Sequence, residues 1–332
     1  MIGAGSFGTA IAVLLARGGI HTALLARTAE TASELETKHE NSRYLPGVEL
    51  PAELRVRPLE KGVGRSEVVF LAVPSSAIPA VAARLPTLGV DRGTAFVSRA
   101  KGLVEPNGQT PAALLTELLG ADRVAAVGGP SHAQEMARAG ASLVAASREP
   151  VLAGRVAAAL ASSGVVCQAS TDQLGVELAG VAKNVAALAS GATQAQGLNA
   201  AGAAAAHIFS EVWRFAERGG ARPETFIGLA GTGDLVATAL APQSRNRRAG
   251  ELLAAGVPAE AIGQQIGQAI EAFQTVPLLD GALGDAGLPA PVTAALSGLI
   301  DGTLPLPEWI ELVRTTTPIA RRRRGGLFGW RY

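Results

Sequence analysis

Three glycines at the start of the chain, in Gly3-Ala4-Gly5-Ser6-Phe7-Gly8, constrain the fold more than anything that follows. Read as GxGxxG, the first glycine allows a tight turn from strand to helix. The second lets backbone approach a pyrophosphate, and the third lets the helix pack closely on its sheet. A helix opened by such a loop offers unpaired N–H groups and the positive end of its dipole to phosphates. In a chain with 40 glycines among 332 residues the pattern alone is weak. Its context strengthens it, because an apolar, alanine-rich helix over 9–17 and a strand over 22–25 follow. Only Met1 and Ile2 precede Gly3, where a buried strand of about five residues is expected. The sheet is therefore expected to have its first, normally central, strand truncated, which weakens cofactor affinity more than it weakens the fold.

Further strand candidates at 68–73, 94–98, 124–127, 143–146 and 165–168 alternate with helical stretches. That alternation predicts right-handed βαβ units in a mostly parallel sheet. Turns at Val73-Pro74-Ser75 and Gly128-Gly129-Pro130-Ser131 end two of these strands, at the edge where open α/β sheets bind ligands. Beyond about Asp172 the strand signal stops, and helices punctuated by Gly and Pro take over. The expected architecture is α/β plus all-α: a Rossmann-type domain over 1–172, then an all-helical domain over 173–332.

With 48% hydrophobic and 17% charged residues the chain can bury large cores and is not of the disordered class. A net charge of +1 gives no general pull toward nucleic acid or a membrane, and the basic run at 321–324 reads as a solvated tail. One cysteine, Cys167, excludes an internal disulfide and fits a reducing compartment. His21, His39, His132 and His207 show no ligand spacing, so no metal site is expected. Without a signal peptide or an uninterrupted apolar run of ~18 residues, a cytoplasmic protein with no integral membrane association is expected.

The segment 174–191, LGVELAGVAKNVAALASG, is a helix candidate that Asp172 or Thr171 caps and Gly191 ends. Glu177 and Lys183 are its only charged residues, and a helix apolar on nearly every face is usually buried. Lys183 then has two readings. Desolvation lowers its pKa and makes it usable in proton transfer, or its stem packs while the ammonium snorkels to water. Asn184 beside it and Gly180 one turn back suit close approach of a polar ligand. In GLAGTGDL, residues 228–235, Asp234 either orients Lys183 or caps the following helix. Ser244-Arg245-Asn246-Arg247-Arg248 suits bidentate capture of a phosphate, or is an exposed basic helix start.

Lys101 follows the 94–98 strand and puts a second ammonium at the ligand edge. Gly129-Pro130-Ser131-His132-Ala133 adds backbone and hydroxyl donors, while His132 reads as structural or exposed. Residues 41–47, NSRYLPG, form a proline turn with no mechanism of its own. Arg27 ends the second strand where an acid would bind the ribose 2′-OH of NAD. Arginine there accommodates a 2′-phosphate and favours NADPH over strict NAD use.

Together and in order, GAGSFG at 3–8, NSRYLPGVELP at 41–51, AKGL at 100–103, GPSHAQE at 129–135, GVELAGVAKNVAAL at 175–188, GLAGTGDL and SRNRR resemble the bacterial NAD(P)-dependent glycerol-3-phosphate dehydrogenase family over nearly the whole chain. The resemblance implies NAD(P)H-dependent reduction of dihydroxyacetone phosphate to sn-glycerol 3-phosphate, a precursor for phospholipid synthesis, by a homodimer. It implies Lys183 as the acid–base residue, with Asp234 and Lys101 holding and polarising substrate oxygens. It implies substrate contacts from Lys101, Gly129, Ser131, Lys183, Asp234, Ser244, Arg245 and Asn246. Cofactor contacts would come from Gly3, Gly5, Ser6, Phe7, Gly8, Arg27, Lys101, Ala133, Arg245, Ala269 and Glu271.

The chain departs from the family pattern at Ala201 and His207, where arginine is usual, and at Glu271-Ala272-Phe273, which lacks a glycine after the glutamate. Two other readings are a related β-hydroxyacid or ketopantoate-type reductase, and a non-catalytic NADPH-binding sensor. Against the first, SRNRR suits a phosphate rather than a carboxylate. Against the second, the lysine, its acid and the arginines are all present.

Overall fold

The computed structural model describes residues 1–241 and 243–317, so the basic run at 321–324 lies outside the described residues. Helix α1 (Ser6–Arg17) leaves the glycine loop, β1 (Ala23–Ala26) returns, and α2 (Ala29–Lys38) follows, capped by Thr28 Oγ1 accepting from the Thr31 N–H. The expected proline turn at 41–47 is instead part of an antiparallel hairpin, β2 (Glu40–Asn41) with β3 (Leu45–Glu49): the bend is 42–44, and Pro46 and Gly47 lie in β3. The charged strand β4 (Arg55–Pro58) then pairs parallel with β1 as the edge of the sheet.

The chain continues through β5 (Val68–Leu71), α3 (Ile78–Arg84), β6 (Ala95–Ser98), α4 (Pro111–Leu119) and β7 (Val124–Gly128). It closes the sheet with α5 (Ala133–Ala139), β8 (Ser142–Ala146), α6 (Pro150–Ala161) and β9 (Val166–Ser170). Strands β5, β6 and β7 are parallel; β8 runs antiparallel to β7, and β9 is parallel to β8.

Two residues stand between β1 and β5. Ile2 bridges in parallel to both Leu25 and Leu71, and its N–H donates to the Phe70 carbonyl at 2.8 Å. The Met1 ammonium donates to the Ala23 carbonyl at 2.8 Å, and burial, with the Arg57 charge adding to it, pulls its pKa down to about 5. Apolar side chains cover both faces of the sheet, one layer from α1, α2 and α6 and the other from α3 and α4.

The reversal at β8 decides how the second half is placed. After β9 the chain is at the sheet edge opposite the ligand edge, and α7 (Gln173–Thr193) runs back across β7. Asp172 caps α7 by accepting from the Gly175 N–H. Gln173 Nε2 donates to the carbonyl of Val124, at the start of β7, and Asn184 Nδ2 donates to that of Lys101, just past the end of β6. A helix rises ~1.5 Å per residue, so this stretch matches a five-residue strand and delivers Lys183 to the ligand edge.

The remaining helices are α8 (Leu198–Arg218), α9 (Pro223–Ile227), α10 (Asp234–Leu240), α11 (Arg245–Ala254), α12 (Ala259–Ile266), α13 (Glu271–Asp285), α14 (Pro291–Asp301) and α15 (Leu306–Thr315). They pack with α7 into one apolar core that also takes in Ala126, Val144 and Ala146 of the sheet. Buried carboxylates serve two proline-led helix starts: Glu177 accepts from the Ala112 N–H of α4, and Glu211 from the Val292 and Thr293 N–H groups of α14. Such acceptors satisfy first-turn donors that have no partner within the helix. Burial pushes the Glu177 carboxyl up to about 7.

Gly191 does not end α7, which continues to Thr193. A Cβ on Gly191 would run into the Arg247 carbonyl, and one on Gly250 into the Leu188 carbonyl. The two glycines let the backbones of α7 and α11 meet directly, which brings the start of α11 to Asn184. Ala201 lies on the buried face of α8, where its carbonyl accepts from Ser190 Oγ; His207 is half-buried on the same helix. Among the described residues no single helix is long and apolar enough to cross a membrane.

Candidate active site

The glycine loop has the geometry a pyrophosphate requires. Gly3 has φ of 108°, and a Cβ there would lie 2.5 Å from the Ala72 carbonyl oxygen. A Cβ on Gly8 would collide with the Gly3 carbonyl, so side chains are excluded at both positions. Gly5 precedes α1 and offers no side-chain cap, which leaves the first-turn N–H groups at Ser6, Phe7 and Gly8 directed outward for an anion. Asn41 braces this loop by donating from Nδ2 to the Ala4 carbonyl at 2.9 Å and to Thr9 Oγ1 at 2.7 Å. The residues present therefore fit a dinucleotide. Arg27 is exposed one residue past β1.

Across the ligand edge, Asp234 is 2% exposed and takes two ammonium groups. Lys101 bonds its Oδ2, and Lys183 Nζ lies 3.6 Å from its Oδ1. The five-residue π-helical turn Leu229–Gly233 aims this carboxylate inward, and Asp234 makes no cap to α10. The capping reading is thus replaced by a buried ion cluster. Burial pushes the Asp234 carboxyl up, and Lys101, Lys183 and Arg99 more than reverse this, holding it below its ordinary range. The Lys101 amine is held well below its ordinary value, first by burial and then by the Arg99 charge.

Lys183 is buried rather than snorkelling, and donates to Thr238 Oγ1 at 3.1 Å. Thr238 was not visible as a site residue in the sequence, although it stands four residues after Asp234 and so on the same helix face. Gly180 receives the stem of Lys101, whose Cγ would lie 3.2 Å from a Cβ there.

Asn184 connects the separate pieces. Its Nδ2 donates to the Lys101 carbonyl at 2.9 Å and to Glu271 Oε2 at 3.3 Å, and its Oδ1 accepts from Asn246 Nδ2 at 2.9 Å. The other Glu271 oxygen accepts from the Ser75 N–H at 3.2 Å, tying α13 to the turn after β5. Ser244 caps α11, accepting from the Arg247 N–H, and the exposed Arg245 donates to the Ala269 carbonyl at 3.0 Å.

Gly129 has φ of 108°, Ser131 Oγ donates to the Gly129 carbonyl at 3.0 Å, and Ala133 begins α5. His132 contacts the Ala237 carbonyl at 3.2 Å through Nε2, a structural bond to α10. The sequence reading also passed over Arg99, which bonds Ser131 Oγ and stacks on Phe7; a basic residue two positions before Lys101 was the available signal.

Residues 1–153 match the family described as NAD-dependent glycerol-3-phosphate dehydrogenase N-terminus, and residues 172–311 match its C-terminus. The chain belongs to the NAD-dependent glycerol-3-phosphate dehydrogenase family. It is 40% identical to a glycerol-3-phosphate dehydrogenase [NAD(P)+] of Deinococcus radiodurans, covering 93% of this chain and 90% of that one. A relative of the same name from Azotobacter vinelandii is 35% identical, covering 96% and 94%. The solved structure of the glycerol-3-phosphate dehydrogenase of Coxiella burnetii superposes with a TM-score of 0.88 at 30% identity, covering 95% of this chain and 98% of that one.

Proposed function

We propose that the chain reduces dihydroxyacetone phosphate to sn-glycerol 3-phosphate with NADPH or NADH, reversibly. The observation that carries this reading is the convergence of Lys183 and Lys101 on the buried Asp234, on the ligand edge that also bears the glycine loop. A bound reduced nicotinamide supplies the hydride. Lys183 holds a proton at Nζ, gives it to the ketone oxygen in reduction and takes it back in oxidation. Asp234 and Thr238 fix the direction of that ammonium, and Lys101 polarises the substrate oxygens.

Gly129, Ser131, Ser244, Arg245 and Asn246 hold the glycerol phosphate. Ser6, Phe7, Arg27, Ala133, Ala269 and Glu271 line the cofactor. The division of labour falls at Asp172, with cofactor residues mainly before it and substrate residues mainly after it. We place the enzyme in the cytoplasm as a homodimer, on the family resemblance. The test is NADPH oxidation by the purified chain with and without dihydroxyacetone phosphate; NADPH binding without ketone-dependent oxidation would favour the sensor reading.

Arg245→Ala is expected to raise KM for dihydroxyacetone phosphate roughly tenfold to hundredfold, the worth of one charge-assisted phosphate contact. At saturating cofactor, which Arg245 is also expected to contact, kinetics with the unphosphorylated ketone should change little, and an unchanged KM for the phosphate ester would remove Arg245 from the phosphate role. Arg27→Asp is expected to swing the NADPH-to-NADH preference by roughly a hundredfold, since a carboxylate repels a 2′-phosphate and accepts from a 2′-OH. Paired kcat/KM measurements check it, and an unmoved ratio would locate the 2′-phosphate elsewhere.

A further inference from the structure

Arg99 lies one residue past β6 and two before Lys101. It is 9% exposed, its guanidinium carbon stands 4.4 Å from the centroid of the Phe7 ring, and Nη2 donates to Ser131 Oγ. Its Nε is enclosed and has no hydrogen-bond partner. Phe7 belongs to the uncapped first turn of α1, and Ser131 to the turn after β7. One buried cation therefore spans two segments that each offer donors to an anion.

The charge balance around it points the same way. Arg99, Lys101 and Lys183 share this region with the carboxylates of Asp234 and Glu271, so cations exceed anions by one when all are ionised. Burial lowers the Arg99 pKa, but a guanidinium stays protonated in proteins. A buried charge without a full set of partners is costly, and an incoming anion relieves that cost. Stacking on Phe7 does not itself call for arginine, because a methionine packs on a ring equally well.

We propose that Arg99 is a phosphate-binding residue of the cleft, its guanidinium taking oxygens of a ligand phosphate that enters between the first turn of α1 and the turn at 129–132. The inference rests on the ligands named above as the proposed function. The phosphate belongs either to the dinucleotide, on the Phe7 side, or to the substrate ester, on the Ser131 side.

Arg99→Met and Arg99→Lys in the full chain test it. NADPH and NADH Kd are read by fluorescence, and kcat and KM with both dihydroxyacetone phosphate and dihydroxyacetone. Arg99→Met is expected to weaken one phosphate-bearing ligand by about tenfold or more, and Arg99→Lys to recover most of the loss. Equal weakening of NADPH and NADH assigns the cofactor pyrophosphate. A raised KM for the phosphate ester alone, with Kd and kcat kept, assigns the substrate.

Values near wild type for every ligand overturn the proposal, as does a loss that at saturating NADPH is shared equally by the unphosphorylated ketone with both cofactor Kd values kept, or one that lysine does not recover. If the wild-type chain binds NADPH but oxidises none with the ketone, the reading of the reaction fails, while the Kd comparison still decides whether Arg99 holds cofactor phosphate.

Discussion

Lys183→Met is expected to lower kcat by roughly 100- to 10,000-fold, the range associated with losing a positioned proton donor. NADPH affinity should be almost unchanged, because Lys183 lies on α7 with the Asp234 cluster and not at the glycine loop. Methionine keeps most of the aliphatic stem and removes only the ammonium. Asp234 is not orphaned, since Lys101 still bonds its Oδ2. The melting temperature should therefore hold while turnover falls, which separates chemistry from folding. Single-turnover NADPH oxidation with saturating ketone is the measurement. A rate within about tenfold of wild type would take the proton away from Lys183.

The second large effect is on stability as well as rate. Asp234→Asn keeps the shape of the side chain but leaves Lys101 and Lys183 buried without their counter-charge. Breaking a buried pair by removing one partner costs about 3–5 kcal/mol, a large part of the roughly 5–15 kcal/mol that holds a domain folded. A fall in melting temperature on the order of 10 °C should accompany the loss of activity.

The pH dependence has a definite sign. Without the Asp234 charge that raises it, the already lowered Lys101 pKa drops further. In the unfolded chain the amine titrates near its ordinary ~10.4. Between the variant's Lys101 pKa and that of the wild type, the unfolded variant binds more protons than the folded one, so its stability rises with pH. The deficit against wild type should shrink as pH rises through that window. Melting curves at a series of pH values below the ordinary ~10.4 of the amine check this, and a deficit constant or growing throughout would mean that Asp234 does not compensate Lys101.

The parts of the fold carried by local pattern were legible in the sequence: the glycine loop, the β-branched strands ending at the ligand edge, and the long apolar helix with its Asp172 cap. The hairpin around residues 40–49 was not, because β2 has only two residues and its partner β3 carries Pro46 and Gly47, which read as a turn. Strand β4, Arg-Val-Arg-Pro, carries charge because it is an edge, and so lacks the apolar signal of a central strand.

Glycine was ambiguous for a physical reason. The same residue that ends helices also lets two helices touch, and Gly191 serves the second purpose. At the site, spacing along the chain left Asp234 divided between a cap and an ion pair. That choice depends on Lys101, 133 residues away, which only the π-helical turn and the returning α7 bring into contact. Thr238 and Arg99 share this property: each is recognised by what faces it across the cleft.

Helix α7 is sheltered on one side by the sheet and on the other by the helices that follow it, with Lys183 and Asn184 on the stretch between. The helical core is built around this element and takes in three residues of the sheet through it. A chain cut ahead of α7 would bare Ala126, Val144 and Ala146 of the sheet, while the released helical piece would expose the flank that lay against β7. The boundary between the two family matches, residues 153 to 172, therefore leads straight into a helix whose apolar flank is shared with the sheet. Lys183 and Asn184, set on that helix, take their place at the ligand edge from this contact.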